Sequence, residues 1–142
     1  MLTIHVSQGL VLHTTQCISE DNFSVVFLRM LNWISLTEID ELIRITEKSF
    51  QKPQVLFKHS TRCGTSSLVL NRFARAKEIP EADFYILDLI RYRDVSDKIA
   101  DLFNVYHESP QVLLIKNGKC HYEESHLGID MFELNDQVTS LN

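Results

Sequence analysis

Long apolar runs are missing from this sequence: none approaches the roughly 20 residues that a membrane-spanning helix needs. Cysteine is scarce. The three present, Cys17, Cys63 and Cys120, are too few and too scattered for the disulfide framework of a small secreted protein, which points to a reducing compartment. The first basic residue is Arg29, so the charged start of a secretory signal is lacking as well. Basic residues are also in deficit, with 14 Lys and Arg against 19 Asp and Glu for a net charge of −5. That balance argues against a nucleic-acid-binding surface as the main business. Together these absences predict a cytoplasmic protein with neither nucleic acid nor membrane among its partners.

What is present suits one domain: 142 residues, 44% of them apolar, suffice for a single packed core. Residues 1–29 mix apolar and polar side chains without a sustained period. Two readings stand, an extra strand pair added to the fold or sequence upstream of a natural start at Met30. Weak periodicity and terminal position favour a dispensable or poorly ordered N-terminal extension. The domain is then expected over residues 30–142.

From Met30 onward the pattern sharpens. "SLTEIDELIRITEKSF" predicts an amphipathic helix, with Ser35 and Glu38 at capping-box spacing and Leu36, Ile39, Leu42, Ile43 and Phe50 near one face. "QVLFKH" after Pro53 predicts a buried strand. "SSLVLNRFARAKEI" places Val69, Phe73 and Ala76 at helical spacing before Pro80. "DFYILDLI", Asp83 to Ile90, is a near-continuous apolar run expected of a central strand. "DVSDKIADLFNV" predicts a helix capped by Asp94. "QVLLIKNGKCHYEE" predicts two strands around Asn117-Gly118, a strong hairpin signal, and "GIDMFELNDQVTSLN" a final helix. The alternating first half implies a parallel βαβ unit and the hairpin adds antiparallel strands. The expected class is α/β, a central mixed sheet flanked by helices, and the order resembles the thioredoxin-like layout.

In that layout "KHSTRCGTS", Lys58 to Ser66, falls between the first core strand and its helix. A helix beginning just after Cys63 would aim unpaired N–H groups and the positive end of its dipole at the sulfur, favouring thiolate over thiol. Between Gln51 and Lys77 there are six basic residues and no acidic ones, which adds positive charge. Ser60, Thr61, Thr65 and Ser66 are available to cap the helix or donate to the sulfur, with Ser66, one turn on, the expected sulfur partner. Gly64 leaves room for a substrate sulfur, and His59 is placed to tune the thiolate. Ser109-Pro110 immediately precedes the hairpin, and in this layout a cis peptide is expected there, turning the backbone toward Cys63 and an extended thiol substrate.

Other groupings carry less. Cys120, His121, Glu123 and His126 match no familiar zinc spacing, and neighbouring strand residues point to opposite faces. No metal is expected. Cys120 lies far from the motif for a resolving thiol, and Cys17 with His13 sits in the weakly patterned segment.

"FKHSTRCGTS" followed by "LNRF", the "SPQ" of Ser109 to Gln111, the "IKNGK" turn and the start "MLNWISLTEIDEL" together resemble the YtxJ-like family, the monothiol bacilliredoxins, from about Met30 to the C-terminus. The resemblance implies a thioredoxin-like fold and bacillithiol-dependent redox control in a bacterial cytoplasm, with bacillithiol as thiol cosubstrate and bacillithiolated proteins as partners. It makes Cys63 the attacking thiol, puts Ser66 at the position of an absent resolving Cys, and makes Pro110 the cis-proline. Family members more often carry Pro or Ser followed by Ile between Cys and Ser. Gly64 and Thr65 stand there in this chain, leaning toward the Cys-Gly-x-Ser of monothiol glutaredoxins.

The expected activity is therefore removal of a low-molecular-weight thiol from protein mixed disulfides through Cys63 and Ser66. Substrate contacts are expected from Lys58, His59, Thr61, Arg62, Gly64, Thr65, Ser109 and Pro110, with Arg62 and Lys58 meeting the two carboxylates of bacillithiol. A rival reading is a glutaredoxin-like carrier in which Cys63, a small thiol and a second protomer hold an iron–sulfur cluster. A third is a redox-inert interaction protein.

Overall fold

A computed structural model describes residues 31–142; the expected extension over residues 1–29, with Cys17, lies outside them. Five strands form one mixed sheet: β1 (Trp33–Ser35), β2 (Gln54–His59), β3 (Asp83–Asp88), β4 (Gln111–Lys116) and β5 (Lys119–Ser125), in spatial order β1-β3-β2-β4-β5. Between them run α1 (Ile39–Lys48), α2 (Gly64–Ala74) and α3 (Arg93–Phe103), and α4 (Met131–Ser140) closes the chain. β1 and β2 pair with β3 in parallel, whereas β2–β4 and β4–β5 are antiparallel. The expected βαβ unit is thus β2-α2-β3, and the expected hairpin is β4-β5.

Side-chain alternation along β2 divides the core into two layers. Leu56 joins Leu42 and Ile45 of α1 and Val95, Ile99 and Phe103 of α3 on one face. Val55 and Phe57 join Val69 and Phe73 of α2 and Leu134 and Val138 of α4 on the other. Burying β2 on both faces explains its unbroken apolar run.

β1 is an addition to the expected order. Three residues carry too little periodicity to announce a strand, and what holds them is tertiary: the Trp33 ring lies 5.7 Å from Phe57, 5.8 Å from Phe73 and 5.8 Å from Phe84. Ser35 belongs to this strand, opposite Ile86, so it does not cap α1. Capping falls one turn later, where the Glu41 carboxylate accepts the N–H groups of Thr37 (2.9 Å) and Glu38 (3.1 Å). Ile39, Ile43 and Phe50, expected on the inner face, are exposed, because α1 turns Leu42 and Ile45 inward. Asp94 is likewise inside the first turn of α3 and Tyr92 is its cap. The last helix is shorter than expected: a 3-10 turn, His126–Gly128, precedes it, and the Asp130 side chain caps α4 by accepting from Phe132 and Glu133 N–H.

The hairpin turn is anchored on the far end of α1. Asn117 (φ 50°) and Gly118 (φ 74°) both take positive φ, as a two-residue turn of this kind requires. Their N–H groups donate to Ser49, that of Asn117 to the carbonyl at 2.9 Å and that of Gly118 to Oγ at 2.8 Å. A methyl on Gly118 would stand 3.2 Å from the Phe50 ring. Gly118→Ala is therefore expected to lower stability by about 1–2 kcal/mol through the left-handed backbone. A urea denaturation midpoint equal to wild type would show that the turn relaxes without cost.

Candidate active site

Pairing on both edges of β2 gathers four chain segments at one end of the sheet. His59 is opposite Asp88 at the end of β3, and the register Lys58↔Gln111 brings Pro110 beside the end of β2. The Ser109–Pro110 peptide is cis, as expected. The N–H of His126, just past β5, donates to Pro110 O at 2.9 Å. From β2 the chain turns tightly, Cys63 N–H donating to Ser60 O at 3.2 Å, and enters α2.

Cys63 is the N-cap residue of that helix, with extended backbone (φ −107°, ψ 118°). Its carbonyl accepts from Ser67 N–H at 3.2 Å and Ser67 Oγ at 3.4 Å. The half-buried sulfur lies at the mouth of an 11-residue helix whose first turn carries no acidic side chain, where unpaired N–H groups and the helix dipole favour negative charge. Apart from its chain neighbours and its own helix backbone, nothing lies within 4 Å of where a Gly64 Cβ would stand, so a side chain at residue 64 would meet open space. Thr61 and Arg62 are exposed in the same turn, and Thr65 and Ser109 are half-buried.

Two expected contacts are corrected. Ser66 is fully buried and its hydroxyl is engaged elsewhere, accepting the Ser60 N–H at 3.0 Å and lying 2.6 Å from His59 Nδ1. None of the hydrogen bonds among the described residues reaches the sulfur of Cys63. The His59 ring stacks on Phe57 at 6.0 Å, and burial holds it below the usual imidazole range against the opposing pull of Asp88.

Lys58 is the second correction, because it is 0% exposed and cannot meet a ligand. Strand parity sends it to the α1/α3 face, opposite to His59. There its Nζ donates to Gln111 Oε1 at 3.0 Å and lies 3.0 Å from His107 Nδ1, which in turn is 3.2 Å from Ser96 Oγ of α3. Gln111 also donates to Tyr106 O and to the Glu123 carboxylate, each at 2.9 Å. This net ties the segment before Pro110 to β2. Burial pushes the Lys58 ammonium down to about 8, with Asp97, Glu123 and Glu108 pulling it back and Arg93 adding to the drop.

Sequence reasoning missed His107, Gln111 and a second clamp, in which His126 Nε2 meets Glu108 Oε2 at 2.9 Å and links the turn after β5 to the segment before Pro110. Arg72 of α2 holds the same turn by donating to Leu127 O at 3.1 Å. The one available signal was a lysine inside an otherwise apolar strand, which must find polar partners when buried.

Cys120 stands apart from this end of the sheet. It pairs with Ile115, which pairs with Gln54 at the start of β2. Six residues of strand, about 20 Å at 3.3 Å each, then separate it from the end that carries Cys63. A disulfide needs Cα atoms within about 7 Å. Burial pushes the Cys120 thiol up to about 11, and its Sγ donates to Tyr122 O at 3.3 Å. Both features mark it as a packing residue.

The family model described as "Monothiol bacilliredoxin BrxC" matches residues 34–134. The chain belongs to the monothiol bacilliredoxin family. Among solved structures, this bacilliredoxin is similar to one put forward as an oxidoreductase with a thioredoxin fold, at 30% identity and TM-score 0.62 over 73% of this chain and 91% of that one. It is also similar to Fasciola hepatica thioredoxin, at 22% identity and TM-score 0.59 over 76% and 98% of the two chains. Malassezia sympodialis thioredoxin follows at 17% identity and TM-score 0.60, over 77% and 90%. The two thioredoxins support the fold alone. Family and fold together make the protein a thioredoxin-superfamily thiol oxidoreductase. No helix among the described residues is long and apolar enough to cross a membrane, and no cluster of His, Cys, Asp and Glu among them could hold a metal ion.

The buried lysine has a measurable consequence. The folded bacilliredoxin holds Lys58 near 8 and the unfolded chain near 10.5. Between those values the unfolded chain binds more protons, so stability rises with pH across the window. In urea denaturation the wild type is expected to gain of order 1 kcal/mol over Lys58→Met between about pH 8 and about pH 9.5. Parallel pH profiles would mean that Lys58 titrates as it would in water.

Proposed function

We propose that this bacilliredoxin removes a small thiol from protein mixed disulfides by monothiol exchange at Cys63, and that bacillithiol is that thiol. The observation that carries the reading is the placement of Cys63 as the N-cap of α2 with a serine, not a cysteine, one turn on. The distant, half-buried Cys120 offers no second sulfur to Cys63.

In the first step the Cys63 thiolate attacks the small-thiol sulfur of the mixed disulfide. The old S–S bond breaks, its electron pair leaves with the protein sulfur, and a new S–S bond joins Cys63 to the small thiol. A second small-thiol molecule then attacks that adduct as its thiolate. Cys63 leaves as thiolate, and the small thiol is released as its own disulfide. Oxidation state is conserved in each step, so the chain needs no redox cofactor of its own.

Bacillithiol carries a malate with two carboxylates. With Lys58 buried, the exposed Arg62, next to Cys63 in the chain, is the cation proposed to meet them. Thr61, Thr65 and Ser109 are the further contacts proposed for the same ligand, and bacillithiolated proteins of a bacterial cytoplasm are the proposed partners.

Intact mass under nonreducing conditions near pH 7 tests the reading, using wild type and Cys63→Ser with a bacillithiolated protein and a glutathionylated one in parallel. One bacillithiol is expected on the wild type and none on Cys63→Ser, with glutathione transferred more slowly. Arg62→Ala is expected to slow bacillithiol transfer several-fold, the scale of one exposed charge contact. Absence of any Cys63 adduct would overturn the exchange mechanism. Colour in anaerobically purified protein would instead favour the iron–sulfur carrier.

A further inference from the structure

The hydroxyl of Ser66 stands between two partners that constrain where its proton can go. Its oxygen accepts the backbone N–H of Ser60 at 3.0 Å, which occupies one lone pair. It also lies 2.6 Å from His59 Nδ1, a distance at which one proton must be shared between oxygen and nitrogen. A serine hydroxyl has one proton and two acceptor positions. With a neutral imidazole accepting at Nδ1, the Ser66 proton points to His59 and one acceptor position on Oγ is left over. With Nδ1 protonated, the imidazole donates, both acceptor positions are filled, and the hydroxyl proton must find another acceptor.

The position of Ser66 in α2 names that acceptor. Cys63 is the N-cap and Ser66 is the third residue of the helix. These two positions lie on the same first turn, where at other helix starts serine and glutamate cap reciprocally, each side chain reaching the other residue's backbone N–H. Ser66 is fully buried, so water does not compete for the hydroxyl. The Cys63 sulfur holds no hydrogen bond of its own among the described residues.

With the Cys63 side chain turned toward Oγ, two proton arrangements satisfy every group. In one, the thiol donates to Ser66 Oγ and Ser66 donates to His59. In the other, the sulfur is a thiolate, Ser66 donates to it, and His59 donates to Ser66. We propose that Ser66 relays the thiol proton of Cys63 to His59, so that His59 acts through Ser66 as the proton acceptor that forms the thiolate. The S–H bond breaks, its proton joins Ser66 Oγ, the original Ser66 proton moves to Nδ1, and the electron pair stays on sulfur. No bond between heavy atoms changes.

The electrostatic setting is consistent with this exchange. Burial works against an imidazolium at His59, whereas Asp88, facing it from β3, works in its favour. A thiolate on the other side of Ser66 adds a second negative charge just as the imidazolium forms. His59 is thus a positioning residue with a defined proton role. The relay rests on Cys63 being the reactive thiol of the proposed function, but its test uses no mixed disulfide, so its failure is distinguishable from failure of that function.

The test reads Cys63 directly through the pH profile of its alkylation by iodoacetamide, from about pH 5 to about pH 9. His59→Phe keeps a ring to stack on Phe57 but removes Nδ1, and Ser66→Ala removes the relay. Each is expected to slow alkylation near pH 6.5 by about tenfold, the equivalent of moving the profile up by one pH unit. The double variant is expected to be no slower than either single, since both break one path. Unchanged profiles or additive shifts would overturn the relay. A second measurement uses the wild-type sequence and is immune to misfolding: the imidazole NMR signal of His59 titrated before and after capping Cys63 as a methyl disulfide. The cap removes the thiolate, so the His59 midpoint is expected to fall, and an unmoved midpoint would sink the proposal.

Discussion

The pairing of β2 between a parallel neighbour and an antiparallel one is the constraint on which the site depends. Parallel pairing with β3 places Asp88 beside His59, and antiparallel pairing with β4 places Pro110 on the other side. The ladder continues through Pro110 to His126. Because β2 is covered on both faces, its last residues are separated by parity into different layers of the core. Lys58 goes to the α1/α3 layer and His59 to the α2/α4 layer, although they are adjacent in sequence. Each finds polar partners there, as buried polar groups must.

This separation changes the electrostatic account of the sulfur. Six basic residues near Cys63 suggest a strongly positive surroundings, yet few of them act there. Lys58 is inside the other layer, and Lys52 pairs with Asp83 at 2.8 Å at the opposite end of β2. Arg72 is directed to the Leu127 carbonyl. Burial also drives His59 and Lys58 toward their neutral forms. Positive potential at Cys63 therefore comes from the N-terminus of α2, joined by the exposed Arg62 in its turn. A helix end supplies that field at fixed geometry, whereas long basic side chains would have to be ordered to supply it.

Much of this arrangement was legible in the residues. Cys63 was placed at a strand-to-helix junction because an apolar run ended before it and a 3.6-residue period began after it. Asn117-Gly118 announced the hairpin through the positive φ its turn demands, and Pro110 was expected in its cis form. Helix caps were less legible, since Ser35, Glu38 and Glu41, like Tyr92 and Asp94, offered neighbouring choices. The register of β1 against β3 decided the first. The hydrogen bond of Ser66 to His59 was not foreseen, because sequence spacing along a helix points to Cys63 and says nothing of His59 arriving from β2.

By itself the sequence determined the local pieces: most of the helices and strands, which cysteine stands just before a helix, and that a serine follows it at one turn. These follow from short-range periodicity, turn sterics and capping, all encoded within a few neighbouring residues. Only the tertiary structure decided which face each residue of β2 meets, that β1 exists, that Cys120 sits at the far end of the sheet, and that Ser66 shares a proton with His59. Those facts depend on strand register and layer packing, where residues distant in the chain compete for the same buried space. No local pattern carries the outcome of that competition.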